Sequence, residues 1–185
     1  MRFFIALEIP EESRQDIENI QRQIQKIIPH LKLTGSHKFH LTIAFIGDQD
    51  EECKDALINL IKESTANIPP FEVSPAYLDG FPSLHSAKVF WLGVKGDIDK
   101  LMILRERIKD GLKRLHLEID ERRYIPHIAI AKAADFQMTD SEEASLQELM
   151  LKPLQPFTID SIKLFESIPQ EGFHDHNTLA EIKLR

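Results

Sequence analysis

One short strand pattern occurs twice in this 185-residue chain, and it constrains the fold more than any other feature. The first copy is Lys38-Phe39-His40-Leu41-Thr42-Ile43-Ala44-Phe45-Ile46, and the second is Tyr124-Ile125-Pro126-His127-Ile128-Ala129-Ile130-Ala131. The two histidines are 87 residues apart (127 − 40). Phe3-Phe4-Ile5-Ala6-Leu7 and Phe90-Trp91-Leu92-Gly93-Val94 stand at the same separation (90 − 3). An apolar strand, a helix-length segment and a His-bearing strand therefore recur at one offset. The recurrence predicts a duplicated unit, with the two His strands related by a pseudo-two-fold axis.

The segments around these strands have readable periods. Pro10 opens a helix whose apolar residues Ile17, Ile20, Ile24, Ile27 and Ile28 fall at helical spacing, and Pro29 closes it. Further helices are predicted at 50–65, at 98–115 with Ile98, Leu101, Leu104, Ile108 and Leu112 on one face, and at 141–150. Strands are expected near 71–79, 87–95, 126–132, 157–165 and 177–184, with a turn at Gly80-Phe81-Pro82-Ser83 and a loop at Gly172. In 38–46 strict alternation puts Phe39, Leu41, Ile43 and Phe45 on the core face and His40, Thr42 and Ala44 on the other. The expected class is α+β: a bilobal duplicated fold, with two antiparallel-rich β-sheets flanking a central cleft and helices outside. Residues 1–185 are read as a single domain of two pseudo-symmetric lobes.

Composition narrows the function classes. Hydrophobic residues make up 42% and charged residues 29%, as in a soluble globular protein. No stretch reaches the roughly 18 apolar residues of a membrane span, and the short apolar start Met1–Leu7 runs straight into Glu8 and Pro10, as a first strand does. Cys53 is the single cysteine, which excludes an internal disulfide and a cysteine-based zinc site. A cytoplasmic location is expected. The net charge of −7 argues against broad binding to duplex nucleic acid, which needs clustered Lys and Arg. It leaves room for a small anion site that reads one end or one nucleotide.

Residues i and i+2 of a strand share a face, so His40 points with Thr42, and His127 with Ala129. If the two sheets face each other, both imidazoles line one cleft. A neutral imidazole takes a proton from water, and a charged one donates to a leaving oxygen near neutral pH. A threonine hydroxyl beside it can donate to a phosphate oxygen. Two such strands suit metal-free opening of a cyclic phosphodiester. A single His-x-Thr on a strand is more often an ordinary surface feature; the recurrence is what favours chemistry.

At this point the chain resembles a known family. Met1-Arg2-Phe3-Phe4-Ile5-Ala6-Leu7 followed by Pro10, and His40-Leu41-Thr42-Ile43-Ala44-Phe45-Ile46-Gly47, are similar to the first strand and first His-x-Thr-x motif of bacterial and archaeal RNA 2′,3′-cyclic phosphodiesterases. These belong to the 2H phosphoesterase superfamily and were first described as 2′-5′ RNA ligases. Lys88–Val94 resembles the family's central strand, Arg122-x-Tyr124-x-Pro126-His127 its lead-in to the second motif, and Leu164-Phe165-Glu166-Ser167 with Gly172 its C-terminal strand and loop. The resemblance implies metal-independent hydrolysis of an RNA-terminal 2′,3′-cyclic phosphate to a 2′-phosphate, with reverse 2′-5′ ligation when ends are held together. It implies His40 as proton donor, His127 as proton acceptor, and Thr42, Arg122 and Lys132 as substrate-binding residues. RNA ends or nucleotides carrying a 2′,3′-cyclic phosphate are the partners implied; no cofactor, metal, membrane or protein partner is. Alternatives are a non-catalytic nucleotide-binding module, or a phosphodiesterase for another cyclic or 2′-5′-linked nucleotide.

Two positions depart from the family pattern. Ala129 stands where the family has Thr, which removes one hydroxyl donor, and Lys132 stands where it often has Arg. Strict alternation also puts Lys132 on the face opposite His127. Asp120-Glu121-Arg122-Arg123 reads equally as a solvated turn, and Tyr124 and Trp91 read as core aromatics. His174-Asp175-His176 looks metal-like but lacks a third or fourth ligand, so no metal site is expected there.

Overall fold

Two antiparallel sheets carry the two histidine motifs, one each. The computed structural model describes residues 1–134, 136–171 and 173–185. Gly172, expected to shape the loop before the last strand, lies outside the described residues. The order is β1 (Arg2–Glu8), α1 (Glu11–Ile27), β2 (Lys32–Leu33), β3 (His40–Asp48), α2 (Cys53–Thr65), β4 (Phe71–Phe81), β5 (Val89–Gly96), α3 (Ile98–Arg114), β6 (His127–Lys132), α4 (Asp140–Glu148), β7 (Phe157–Ile159), β8 (Ser161–Gln170) and β9 (Phe173–Lys183). The first sheet runs β3-β1-β8-β9 and the second β2-β6-β5-β4-β7. The expected strand at 157–165 is in fact two, because the chain changes sheet at Asp160: β7 joins the second sheet and β8 the first. Gly80 and Phe81, expected in a turn, end strand β4.

The duplication is real at the level of pairing, with a changed register. Leu7 lies opposite Leu41, and Leu92 opposite Ile128. The His strands therefore match at 87 residues (128 − 41), but their partner strands at 85 (92 − 7). The expected match of Phe3 with Phe90 is two residues out. A two-residue slip preserves which face each side chain takes, so the sequence pattern survives it.

Both His strands also contain a bulge at the equivalent residue. Along β1 the partners step from Thr42 opposite Ala6 to Ala44 opposite Ile5, passing over Ile43. Along β5 they step from Ala129 opposite Trp91 to Ala131 opposite Phe90, passing over Ile130. An extra residue in one strand shifts its alternation by one. Beyond each bulge the faces exchange relative to strict alternation. Ala44 is buried, and Phe45, expected in the core, is 66% exposed. Lys132 likewise moves to the cleft face.

The helices close the core crosswise. α1, which follows β1, packs against β6 of the second sheet, and α3, which follows β5, packs against β3 of the first. Ile17, Ile20 and Ile24 of α1 and Leu101, Leu104, Ile108 and Leu112 of α3 are buried in one apolar cluster with Phe3, Ile5 and Leu7. Each such side chain contributes about 1.5–3 kcal/mol. A second, smaller cluster of Phe4, Ala6 and Phe165 faces the opposite side of the first sheet. Among the described residues no helix is long and apolar enough to cross a membrane.

Candidate active site

A cleft of about 630 Å³ is lined by His40, Thr42 and Phe45 from β3, by His127, Ala129 and Lys132 from β6, and by Lys38, His174, Asp175 and His176 among others. Equivalent positions of the two His strands thus face one space. The bulges put Phe45 and Lys132 there, a placement that alternation counting denies to both.

The two imidazoles are held alike. His40 Nδ1 lies 2.7 Å from the Lys38 carbonyl, and His127 Nδ1 lies 2.7 Å from the Ile125 carbonyl. A carbonyl only accepts, so Nδ1 is the protonated nitrogen in each ring. Each neutral imidazole therefore keeps a bare Nε2. Each ring also rests on aromatic groups. His40 is 5.3 Å from Phe4, which stacks on Phe165 at 5.0 Å. His127 meets Phe81 edge-on at 5.1 Å and Trp91 at 5.5 Å. Gly93, opposite His127, admits the Tyr77 ring, which a β-carbon there would meet at 2.0 Å.

These apolar floors set the electrostatics. Burial holds His40 down at about 4 from the usual 6.5, against the hydrogen bond to Lys38, and the neighbouring His176 and His127 add to the depression. Glu8, opposite His40 on β1, acts the other way, and is itself paired with Lys163 at 2.8 Å. Burial lowers His127 as well, opposed by its bond to Ile125. Burial thus biases both rings toward their neutral forms, and an anion placed between them favours their charged forms.

The remaining expected residues divide. Thr42 and Lys132 line the cleft. Arg122 does not: its side chain is 88% exposed and folds back on Asp120, with a 2.6 Å contact. That bond holds the Asp120 carboxyl down at about 2. Tyr124 donates its hydroxyl to the Thr42 carbonyl at 2.7 Å rather than lying in the cleft. Trp91 is buried under His127, and its Nε1 is the buried side-chain polar atom left without a partner among the described residues. His176, which sequence reasoning set aside, lies beside His40 with ring centroids 5.8 Å apart and meets Phe165 at 4.9 Å. No spacing rule joins it to His40, because β9 reaches the site only through sheet pairing, Ser167 opposite His176. Among the described residues, His85, Asp140 and Glu143 bring ligand atoms within 4.8 Å of one another. None of those three lines the cleft.

Comparison with known proteins agrees with this architecture. Residues 9–170 match the 2′-5′ RNA ligase superfamily. An RNA 2′,3′-cyclic phosphodiesterase of Methanocaldococcus jannaschii is 26% identical over 167 residues, covering 90% of this chain and 91% of its own. One from Thermotoga maritima is also 26% identical, covering 90% and 87%. Two crystal structures share the fold. A protein of Thermus thermophilus superposes with a TM-score of 0.81 at 20% identity, covering 100% of this chain and 98% of the other. LigT of E. coli complexed with 3′-AMP superposes with a TM-score of 0.78 at 21% identity, covering 99% and 97%. Since the match to the superfamily spans most of the residues, including both histidine strands, the chain belongs to the 2′-5′ RNA ligase superfamily.

Proposed function

We propose that this chain, acting as one unit over residues 1–185, hydrolyses an RNA-terminal 2′,3′-cyclic phosphate to a 2′-phosphate, using His40 and His127 and no metal ion. The single observation that carries the reading is the matched pair of imidazoles, each with Nδ1 fixed on the carbonyl two residues back, lining one cleft. The relatives' activity, RNA 2′,3′-cyclic phosphodiesterase, supports it.

In the reaction His127 Nε2 takes a proton from water as its oxygen attacks phosphorus. The bond from phosphorus to O3′ breaks, and His40 Nε2–H gives its proton to O3′. Substrate binding charges His40, because the phosphate anion offsets the burial that otherwise keeps the ring neutral. The Thr42 hydroxyl donates to a non-bridging oxygen, and the Lys132 ammonium balances its charge. Phe45 offers an exposed ring in the cleft on which a base can stack. With a 5′-hydroxyl in place of water, the same proton transfers join two RNA ends through a 2′-5′ linkage.

Ala129 favours a second reading, a nucleotide-binding module without turnover, since the second strand offers no hydroxyl beside its histidine. One experiment separates them: incubation with nucleoside 2′,3′-cyclic phosphates and cyclic-phosphate-ended RNA in chelator, with the product isomer identified. Formation of a 2′-phosphomonoester with a free 3′-hydroxyl supports hydrolysis. Binding of a nucleoside 2′-phosphate without turnover gives the second reading. Turnover only on another cyclic or 2′-5′-linked nucleotide moves the substrate. Activity lost in chelator and restored by a metal ion overturns the two-histidine mechanism.

A further inference from the structure

Each apolar helix stripe of the crossed pair contains a long buried polar residue at the same place. Gln21 follows Ile20 in α1 and is 4% exposed; Arg105 follows Leu104 in α3 and is 7% exposed. Burying such groups is costly unless every donor is used. Both reach the bulged residues. Arg105 Nη1 donates to the Ile43 carbonyl at 2.7 Å, and Gln21 Nε2 donates to the Ile130 carbonyl at 2.8 Å. β3 is an edge strand, so its outward carbonyls have no ladder partner. Arg105 Nη2 also donates to the Asp120 carbonyl at 3.0 Å, and its guanidinium lies 5.1 Å from the Tyr124 ring centroid. Gln21 Nε2 also donates to the Thr34 carbonyl at 2.8 Å, while the Thr34 amide donates to Ile130 at 2.9 Å.

We infer that Arg105 and Gln21 are reciprocal positioning residues: each reaches from one half of the molecule to fix the bulge in the histidine strand of the other half. The bulge decides which side chains enter the cleft. Arg105 thereby sets how Thr42 and Phe45 sit beside His40, and Gln21 sets how Ala129 and Lys132 sit beside His127. The link to catalysis rests on the hydrolase reading above; the link to strand geometry does not. Each reaches two segments at once, but Arg105 has the larger task, since the Thr34 amide already holds the Ile130 carbonyl in part.

The test compares Arg105→Lys, Arg105→Met and Gln21→Met in the full chain. Turnover on a nucleoside 2′,3′-cyclic phosphate, amide spectra and the titration of the histidine ring signals are measured for each. Arg105→Lys keeps the charge but cannot span both carbonyls. It is expected to fold, to lose about 10- to 100-fold in kcat, and to keep KM within about threefold. Its amide shifts are expected at Thr42–Phe45, and the His40 titration moves while that of His127 stays. Gln21→Met gives the mirror result, with shifts at Ala129–Lys132, a displaced His127 titration and a kcat loss of about threefold to tenfold. If Arg105→Met does not fold, the Lys variant still decides. Lower melting temperatures with kcat intact and the far-half signals unmoved would make both residues ordinary core groups. Should wild type show no turnover, the hydrolase reading fails, and the spectra alone then uphold or reject the positioning role.

Discussion

The Tyr124 hydroxyl donates to the Thr42 main-chain carbonyl over 2.7 Å, tying the lead-in of one histidine strand to the body of the other. Burial raises the Tyr124 pKa, so the group remains a donor throughout the working pH range. Tyr124→Phe removes the donor from a half-buried carbonyl. The expected loss is about 1–2 kcal/mol of stability, read by denaturant unfolding, with kcat reduced more than KM is changed. A variant as stable and as active as wild type would show that Thr42 needs no such tether.

His40→Ala and His127→Ala are each expected to remove about 10²- to 10⁴-fold of turnover. Both rings border the cleft and lie outside the main apolar core, so the fold should persist. Far-UV dichroism and binding of a nucleoside 2′-phosphate check that the loss is chemical. Turnover kept by either variant would mean that its imidazole does not take part.

Arg122 and Lys132 should separate cleanly. Lys132→Ala is expected to raise KM about tenfold, as loss of one charge-assisted contact does. Arg122→Ala is expected to leave KM within about twofold, because that guanidinium is paired with Asp120 outside the cleft. Steady-state kinetics at fixed ionic strength decide it, and the reverse ranking would mean that the 120–126 segment folds over bound substrate.

Acid should weaken the fold through His40. Its folded pKa is about 4 against 6.5 in the unfolded chain, so between these values the unfolded chain binds more protons. Stability is complete above about 6.5 and is lost as pH falls toward 4, by at most about 3 kcal/mol, and His127 acts in the same direction. His40→Gln should flatten this slope in unfolding experiments across that window. Binding of a nucleoside 2′-phosphate near pH 6 should take up protons, measured by calorimetry in buffers of different ionisation heat. Binding with no proton uptake would remove the argument that substrate charges the acid.

Much of this site can be read in the chain, and the unreadable part has a definite cause. The two histidines, Thr42 and the helices between the strands follow from local period, which needs only neighbours in sequence. The bulges at Ile43 and Ile130 do not, because an unpaired residue is a property of two strands and leaves no mark in one. Three misplacements near the site descend from them: Phe45 assigned to the core, Ala44 to the face of His40 and Thr42, Lys132 to the wrong face; Arg122 is drawn out of the cleft instead by its pairing with Asp120. His176 is hidden for a different reason, since sheet order alone brings β9 to β3 by way of β1 and β8.

Ala129 is the position where a small change should improve the reaction. It shares the cleft face with His127, as Thr42 does with His40, and it is only partly buried, so a larger side chain has room. Its cross-strand partner is Trp91, whose ring already lies against His127. Ala129→Thr adds a hydroxyl donor to the phosphate at the equivalent place of the second strand. Strands favour β-branched residues, so stability should hold. One hydrogen bond to a charged acceptor contributes about 1.5–3 kcal/mol, which sets a ceiling of about 100-fold on the gain in kcat/KM. The comparison is made on a 2′,3′-cyclic-phosphate RNA end, with wild type and variant at equal folded concentration. A gain confined to kcat places the hydroxyl in the transition state; a gain confined to KM places it on the bound substrate. Unchanged or lower activity in a well-folded variant would mean that the cleft is built around alanine, and would favour a substrate other than an RNA cyclic phosphate.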